Sequence, residues 1–362
     1  MRLKISDVLA FLKAEGLAPA GADDAVRAAL AAETSDEMPW FMRVAIGVGA
    51  WLATAFLIGS FFAIAELEDY RAQTIVGVLL IGMAVAVRRQ SSAEFLQQTA
   101  VAASLAGQAL VIHGIGDLFD SVVGAGITGA LLSIALVWLM PDRVHRFLSA
   151  LIGSGSAVAA AVASEAPAAL EIATLVLVAC TAYVWRMGIR DRDAATAEML
   201  EPVGYGLVIA LFGVLLFDTM TSMDGFRWAL GHLRQEMLGS ATTIGITLAF
   251  MALVWKIIDE HGTSHRSRAS FAALAGVAAL GTGALSSPGI VAGAAALVLA
   301  FDRRDRVLLG LAVIFLLVFG SAYYYSLSLT LLEKSGVLVG SGLLLIAIRQ
   351  RIAPSDAENV AP

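Results

Sequence analysis

Apolar runs long enough to cross a lipid bilayer recur along almost the whole chain, and no other feature constrains the fold as strongly. A helix needs about 20 apolar residues to cross the hydrocarbon core, where it satisfies its own backbone hydrogen bonds. Of the 362 residues, 59% are hydrophobic and only 15% are charged, whereas a soluble domain has about 25% charged residues. The sequence therefore excludes a soluble protein and predicts an all-α fold, a polytopic transmembrane helical bundle.

Twelve such runs lie between charged or turn-forming breaks, so we predict twelve spans, with eleven as the alternative. The ninth and tenth runs are short and are separated only by Ser286-Ser287-Pro288-Gly289. They predict either two crossings or a broken, re-entrant hairpin. The runs are 41–65, 72–87, 95–113, 121–140, 147–164, 167–187, 200–222, 239–258, 269–286, 288–301, 307–325 and 331–349.

Three parts of the chain differ in composition. Residues 1–38 contain a stripe of apolar residues at helical spacing from Ile5 to Leu12, a pattern that predicts a cytoplasmic N-terminal helical hairpin. Residues 39–351 form the transmembrane helical bundle in this interpretation. Residues 352–362 are predicted to be a disordered cytoplasmic tail.

Basic residues are distributed unevenly between the breaks. With the N-terminus placed inside, twenty of the 24 Lys and Arg residues fall in segments on the inner side and four on the outer side. Cytoplasmic loops retain Lys and Arg, whereas translocated loops lose them. The pattern predicts a multi-pass protein of a bacterial inner (plasma) membrane, with both termini in the cytoplasm and an even number of spans.

The predicted outer segments are acidic, with eleven Asp and Glu residues against four bases. Either these acids keep the surface soluble because they cross the membrane easily, or they attract cations to a vestibule.

Thr330 and Glu333 have the spacing of a capping box, which predicts that the last helix begins at Thr330. The tyrosines before it form either an interfacial aromatic belt or part of a ligand site. The candidate outer-face partner or ligand site comprises Tyr323, Tyr324, Tyr325, Glu333, Lys334, Asp117 and Asp218.

Polar residues within the spans are concentrated in the third one. Gln97, Ser104, Gln108 and His113 form a candidate intramembrane polar face, which indicates either interhelical hydrogen bonds or a functional site. His113 and Asp117 have the spacing of two metal ligands on a helix, but the intervening glycines predict a loop and no third ligand is evident. We therefore predict no metal site. Mid-span carboxylates are scarce, which argues against an ion-coupled pump.

No catalytic or ligand motif stands out in the sequence. The glycine-rich stretches do not follow a strand as nucleotide-binding loops do, and Ser, His and Asp occur without a nucleophile motif. The net charge of −6 lacks the basic patch of a nucleic-acid-binding protein. The single cysteine, Cys180, lies in an apolar run and is predicted to be a core residue. We predict no enzyme activity, no catalytic residues, no cofactor and no nucleic-acid partner.

Two short triplets recur in the two halves of the chain. Leu105-Ala106-Gly107 recurs as Leu274-Ala275-Gly276, and Asp142-Arg143-Val144 recurs as Asp305-Arg306-Val307. Their offset of six spans indicates a parallel six-plus-six repeat of the kind found in transporters. The alternative is chance recurrence in a chain rich in Ala, Leu and Gly.

The C-terminal run and the entry to the first span carry a family resemblance. The run is Tyr323-Tyr324-Tyr325-x-Leu327-x-x-Thr330-Leu331-Leu332-x-Lys334-Ser335, continued by Gly340 and Gly342, and the entry is Pro39-Trp40 followed by Gly47, Gly49, Ala50 and Trp51. Both resemble a bacterial membrane protein family known as domain of unknown function 4401, over residues 39 to 350. The resemblance implies a partner, a smaller membrane-anchored protein with a Gly-Asp-Tyr-x-x-Leu-x-Tyr motif, and it implies no activity.

These observations support two hypotheses of function. The first is a non-enzymatic subunit of a membrane complex, with a docking or sensing surface on its outer face and a second membrane protein as its partner. The second is a transporter or lipid-handling protein for an unknown small substrate, which would enter between the halves near Gln108, Ser287 and Pro288. In both, the lipid bilayer surrounds the chain.

Overall fold

A computed structural model describes residues 69–91, 93–188, 194–222, 238–262, 264 and 266–326, and the single positions 49, 52, 59, 335, 336, 339 and 342. Most of these residues are helical, and none of them lies in a strand. The predicted hairpin of residues 1–38, the tail of residues 352–362 and most of the predicted spans 41–65 and 331–349 lie outside them.

Ten α-helices follow one another in the described part of the chain. They are α1 (Tyr70–Gln90), α2 (Glu94–Phe119), α3 (Val122–Leu139), α4 (Arg143–Ala163), α5 (Ala169–Tyr183), α6 (Ala194–Ser222), α7 (Ser240–Glu260), α8 (Arg268–Gly283), α9 (Pro288–Arg303) and α10 (Arg306–Ser326). A π-helical turn, Val184–Gly188, continues α5. Each helix coincides with one of the predicted spans.

Eight of these ten helices are long and apolar enough to cross a membrane, with α5 counted together with its π-helical turn as far as Arg186, so the described chain is that of a multi-pass membrane protein. The other two, α8 and α9, have 16 residues each. At 1.5 Å per residue each is about 24 Å long, which is less than the roughly 30 Å of a bilayer's hydrocarbon core. The count of twelve spans and the six-plus-six repeat therefore stay predictions.

Short polar residues begin several helices by accepting a hydrogen bond from the first turn. The Ser121 hydroxyl accepts from the backbone N–H of Gly124 at 3.1 Å, and the Asp142 carboxylate accepts from that of His145 at 2.8 Å. Pro288 stands in the first turn of α9, where its missing N–H costs nothing. These caps satisfy donors that have no partner within the helix, and so determine where the spans begin.

Helix α2 continues through Gly114 to Phe119, so the loop predicted at its glycines is wrong. Here glycine allows close packing instead of ending the helix. A Cβ atom on Gly114 would lie 2.8 Å from the carbonyl oxygen of Tyr70, and one on Gly77 would lie 2.7 Å from that of Gly107. In lipid, small residues let two helix backbones approach, and this packing outweighs the low helix propensity of glycine.

The chain divides into two compact units. Among the described residues, one includes residues 82–91 and 93–106, and the other includes residues 69–81 and those from Gly107 onward. In the described part of the first unit, the Arg88 guanidinium donates to the Gln97 side chain, whose amide donates to the carbonyl oxygen of Ser91 at 3.0 Å. The loop after α1 is thus tied to the start of α2.

The second unit has its own apolar core where α6, α9 and α10 meet. Phe212, Leu215, Val291, Leu308 and Phe319 are fully or almost fully buried. The ring of Phe212 stacks on that of Phe315 with 4.2 Å between their centroids. Packing of this kind is the main source of cohesion between helices in lipid, because the bilayer supplies no hydrophobic driving force between them.

Large apolar side chains such as Trp138, Phe271 and Leu317 remain exposed on the described helices. Water would disfavour so much apolar surface, whereas lipid solvates it. Cys180 is exposed as well, so its prediction as a core residue is wrong. An apolar run does not distinguish the buried face of a membrane helix from the face that meets lipid, since both are apolar.

Candidate functional site

A cavity of about 300 Å³ lies within the second unit, between α5, α6, α7 and α9. Its walls are almost entirely apolar and include Val178, Phe212, Ile246, Phe250 and Leu299. A volume of this size is at the lower end of the range for small-molecule sites, roughly 300 to 1,000 Å³.

The cavity is elongated along α7. It extends from Ile246 to Lys256 on this helix, a distance of about 15 Å at 1.5 Å per residue. On the facing helix α9 the lining positions Ala292, Ala295 and Ala296 carry only methyl groups. These small side chains, three and four residues apart on one helix face, leave a gap in place of a closed helix contact.

Arg186 lies at the polar end of the cavity, and its side chain is only 6% exposed. Its Nη2 is 2.7 Å from Oε1 of Glu260, and its Nη1 is 3.2 Å from Oδ2 of Asp302. Its third donor, Nε, is buried and has no hydrogen-bond partner in the described part of the protein. Since most buried polar atoms are paired, this donor indicates an acceptor that the described residues do not supply.

The π-helical turn at the end of α5 positions Arg186. The Trp185 indole N–H donates to the carbonyl oxygen of Gly204 at 3.1 Å, and its ring meets that of Tyr205 edge to face. The Tyr205 hydroxyl in turn donates to Asp305 at 2.6 Å. Single π-helical turns are frequent at functional sites because they redirect side chains from the regular helix.

Lys256 supplies a second positive charge at the same end. It lines the cavity from the last turns of α7, and it is exposed and without an ion pair among the described residues. Together with the Nε donor of Arg186, it gives the apolar channel a polar end, where the carboxylates of Glu260 and Asp302 are already paired with Arg186. Such a site can bind a molecule with a hydrocarbon portion and a polar head.

The four residues of the predicted intramembrane polar face all lie on α2. The Gln108 amide donates to the Ser133 hydroxyl at 2.6 Å, while its own carbonyl oxygen is buried and has no hydrogen-bond partner among the described residues. Ser104 is fully buried, and Gln97 lies at the start of α2 with the contacts given above. The Gln108 bond connects α2 to α3.

His113 contacts two side chains because α2 stays helical beyond it. Its Nδ1 is 3.0 Å from Oε1 of Gln73 and 3.2 Å from Oδ2 of Asp117. Among the described residues there is no group of three or more His, Cys, Asp or Glu side chains that could hold a metal ion.

Residues of the predicted outer-face site occupy several places. Tyr323 makes a long 3.5 Å hydrogen bond to the carbonyl oxygen of Gly283, and Tyr324 meets Tyr325 edge to face. Asp218 is buried and accepts from the backbone N–H of Leu238 at 2.7 Å. Asp117 contacts His113, as described, and Glu333 and Lys334 lie outside the described residues.

Sequence reasoning missed the cavity. In the sequence, Arg186 and Lys256 were counted only among the basic residues of the predicted inner segments. No pattern distinguished the alanines of α9 from the many other alanines of the chain. The signal available was a pair of basic residues near the ends of two spans that the fold brings together. Recognising it required the packing of α5 against α7, which the sequence does not specify.

The comparisons with known proteins give one match. The sequence model of a family described as "Domain of unknown function (DUF4401)" matches residues 39–353. Neither the curated proteins nor the solved structures include a match to this chain.

Proposed function

The chain belongs to the family described as domain of unknown function (DUF4401), and because that description names no activity, we propose a function from the geometry: this is an integral membrane protein that binds a lipid-like ligand. The cavity between α5, α6, α7 and α9 carries the proposal. The role is that of a lipid-handling protein without catalysis, in which the ligand is held and not transformed.

The chemistry of the lining supports a ligand with a hydrocarbon portion. A water molecule needs two to four polar partners, and the apolar walls offer none along most of the channel. A hydrocarbon chain gains contacts with Phe212, Phe250 and Leu299 there without losing hydrogen bonds. The channel lies within helices that meet lipid, so such chains are available at high local concentration.

The proposal is tested by counting the lipids that remain bound to the purified full chain by native mass spectrometry. Ala295→Leu and Ala249→Leu fill the cavity from α9 and α7, while Ala272→Leu makes the same change at an exposed position of α8. We expect the two cavity variants to reduce occupancy about tenfold, which corresponds to roughly 1.4 kcal/mol of binding free energy. We expect the Ala272→Leu control to retain it.

Equal retention by all three variants would exclude the cavity as the binding site. A wild-type protein from which mild detergent removes every lipid would contradict the proposed function itself. Thermal unfolding of each variant, measured in parallel, separates loss of ligand from loss of fold.

A second candidate function is that of a subunit in a membrane complex, which docks another membrane protein at the Tyr323–Tyr325 corner. Exposure favours it, since Tyr325 is 73% exposed at the end of α10 and exposed tyrosines are enriched at interfaces. Tyr324→Ala and Lys334→Ala should then release a partner that co-purifies with the wild-type protein. Trp138→Ala removes an exposed aromatic ring at the end of α3 and should leave the partner bound; unchanged co-purification in all variants would exclude this corner.

A further inference from the structure

We propose that the ligand of the cavity is a single-chain amphiphile with an anionic head, a carboxylate or a phosphate, whose head is bound by Lys256 and the Nε of Arg186. This inference rests on the proposed function and adds the chemical class of the ligand. The hydrocarbon chain lies along α7 toward Ile246.

The unpaired donor of Arg186 specifies the head. Nη2 of the guanidinium contacts Glu260 and Nη1 contacts Asp302, whereas Nε has no acceptor in the described part of the protein. A buried N–H that has lost its hydrogen bond to water and gained no other acceptor costs free energy. An acceptor oxygen at this point removes that cost. A carboxylate or phosphate oxygen makes the stronger, charge-assisted form of this bond.

Lys256 determines the sign of the head's charge. Glu260, four residues later on the same face of α7, binds Arg186, and Lys256 has no ion pair among the described residues. The carboxylates of Glu260 and Asp302 repel an anion, but each is already bound to Arg186. An anionic head is therefore attracted on the side of Lys256 and Nε, where a cationic head would be repelled and would leave Nε unpaired.

The dimensions of the channel specify a single chain. About 300 Å³ distributed over a length of about 15 Å gives a narrow space, and the side chains of Val178, Phe212 and Phe250 border it. A diacyl lipid would have to leave its second chain in the bilayer. An amphiphile with one chain places its whole hydrocarbon portion among apolar side chains.

The test uses the full chain in phosphatidylcholine nanodiscs with a photo-crosslinkable analogue of dodecanoic acid. Unlabelled competitors of equal chain length differ in their heads: dodecanoate, dodecyl phosphate, dodecanol and dodecyltrimethylammonium. The experiment is done at about pH 8, above the ordinary carboxyl pKa of about 4. Mass spectrometry of the digested protein identifies the labelled peptides.

We expect the label in peptides of α5, α7 and α9, and displacement by the two anions at concentrations about tenfold lower than by dodecanol. Dodecyltrimethylammonium should displace the probe least. The relative strength of dodecanoate and dodecyl phosphate identifies which anionic head the site prefers.

Lys256→Gln should remove the preference for anions, and Lys256→Arg should restore it. Arg266→Gln, an equal loss of charge in the loop after α7, should have no effect.

Two results would overturn the inference in different ways. Equal displacement by dodecanoate and dodecanol, with labelling still abolished by Ala295→Leu, would reject the anionic head and leave the proposed function standing. Labelling spread over lipid-facing helices and insensitive to Ala295→Leu would mean that the probe occupies annular lipid positions only, which rejects both.

Discussion

At the scale of single residues, burial decides what an ion pair contributes. Arg186 is almost fully buried, and its partners Glu260 and Asp302 are 26% and 7% exposed. Arg143 and Glu201 form an ion pair as well, but the two side chains are 59% and 43% exposed. Removing one partner from a buried pair leaves an uncompensated charge, whereas an exposed ion simply returns to water.

Arg186→Met is therefore expected to lower the free energy of unfolding by about 3 to 5 kcal/mol, and Arg143→Met by no more than about 1 kcal/mol. Equilibrium unfolding in mixed detergent micelles measures both changes. Similar effects of the two substitutions would show that the Arg186 cluster is hydrated, in which case its orphan Nε donor would be satisfied by water.

At the scale of helices, the hydrophobic runs predicted the existence of all ten described helices. Most helix ends lie within about four residues of the run, but α6 begins six residues earlier and α2 ends six residues later. The predicted end of α2 was wrong because the low helix propensity of glycine takes no account of packing against a neighbouring helix. Gly114 packs against the backbone of α1. The polar face of the third span and the outer-face site stay predictions, because periodicity does not specify which helix a polar residue contacts. The cavity was not predictable for the same reason, since it exists only where four helices meet.

The close approach of α1 and α2 gives a prediction with a matched control on one helix. A Cβ atom on Gly77 would lie 2.7 Å from the carbonyl oxygen of Gly107, so Gly77→Ala forces the two backbones apart. We expect it to cost about 1 to 3 kcal/mol of stability, as overpacking does. Gly82→Ala, also on α1, meets open space and should be neutral or stabilising by up to about 1 kcal/mol. Destabilisation of equal size at both positions would point to a requirement for helix flexibility in place of close packing.

At the scale of the whole molecule, the segments that are predicted to lie outside contact one another within the second unit. The backbone N–H of Gly239 donates to Glu171 at 2.7 Å, and that of Leu238 donates to Asp218, so the ends of α5, α6 and α7 that are predicted to lie outside meet one another. The Arg186 cluster, which is predicted to lie inside, joins the opposite ends of α5, α7 and α9. This grouping follows the alternation of basic residues along the chain, while the direction in the membrane rests on the positive-inside rule.

The turn between α8 and α9 contacts the first turn of α7. The Thr243 hydroxyl donates to the carbonyl oxygen of Leu285 at 2.8 Å, and Thr243 is the fourth residue of α7. The turn therefore lies at the depth of the first turn of α7, about 5 Å from the start of that helix. This depth favours two crossings that end just below the outer surface over a hairpin that turns at the midplane.

Cysteine accessibility tests both the direction of the chain in the membrane and the depth of the turn between α8 and α9. Cys180→Ser first removes the single native thiol, so that each introduced cysteine is labelled alone. In this background Ala166→Cys probes the turn between α4 and α5, Ser264→Cys the loop after α7 and Ser286→Cys the turn between α8 and α9. In spheroplasts we expect a membrane-impermeant maleimide to label Ala166→Cys quickly and Ser286→Cys more slowly, and to reach Ser264→Cys only after permeabilisation. If Ser264→Cys alone is labelled in intact spheroplasts, the topology is the inverse of the predicted one. A Ser286→Cys thiol that reacts only in the denatured protein would identify α8 and α9 as a re-entrant hairpin.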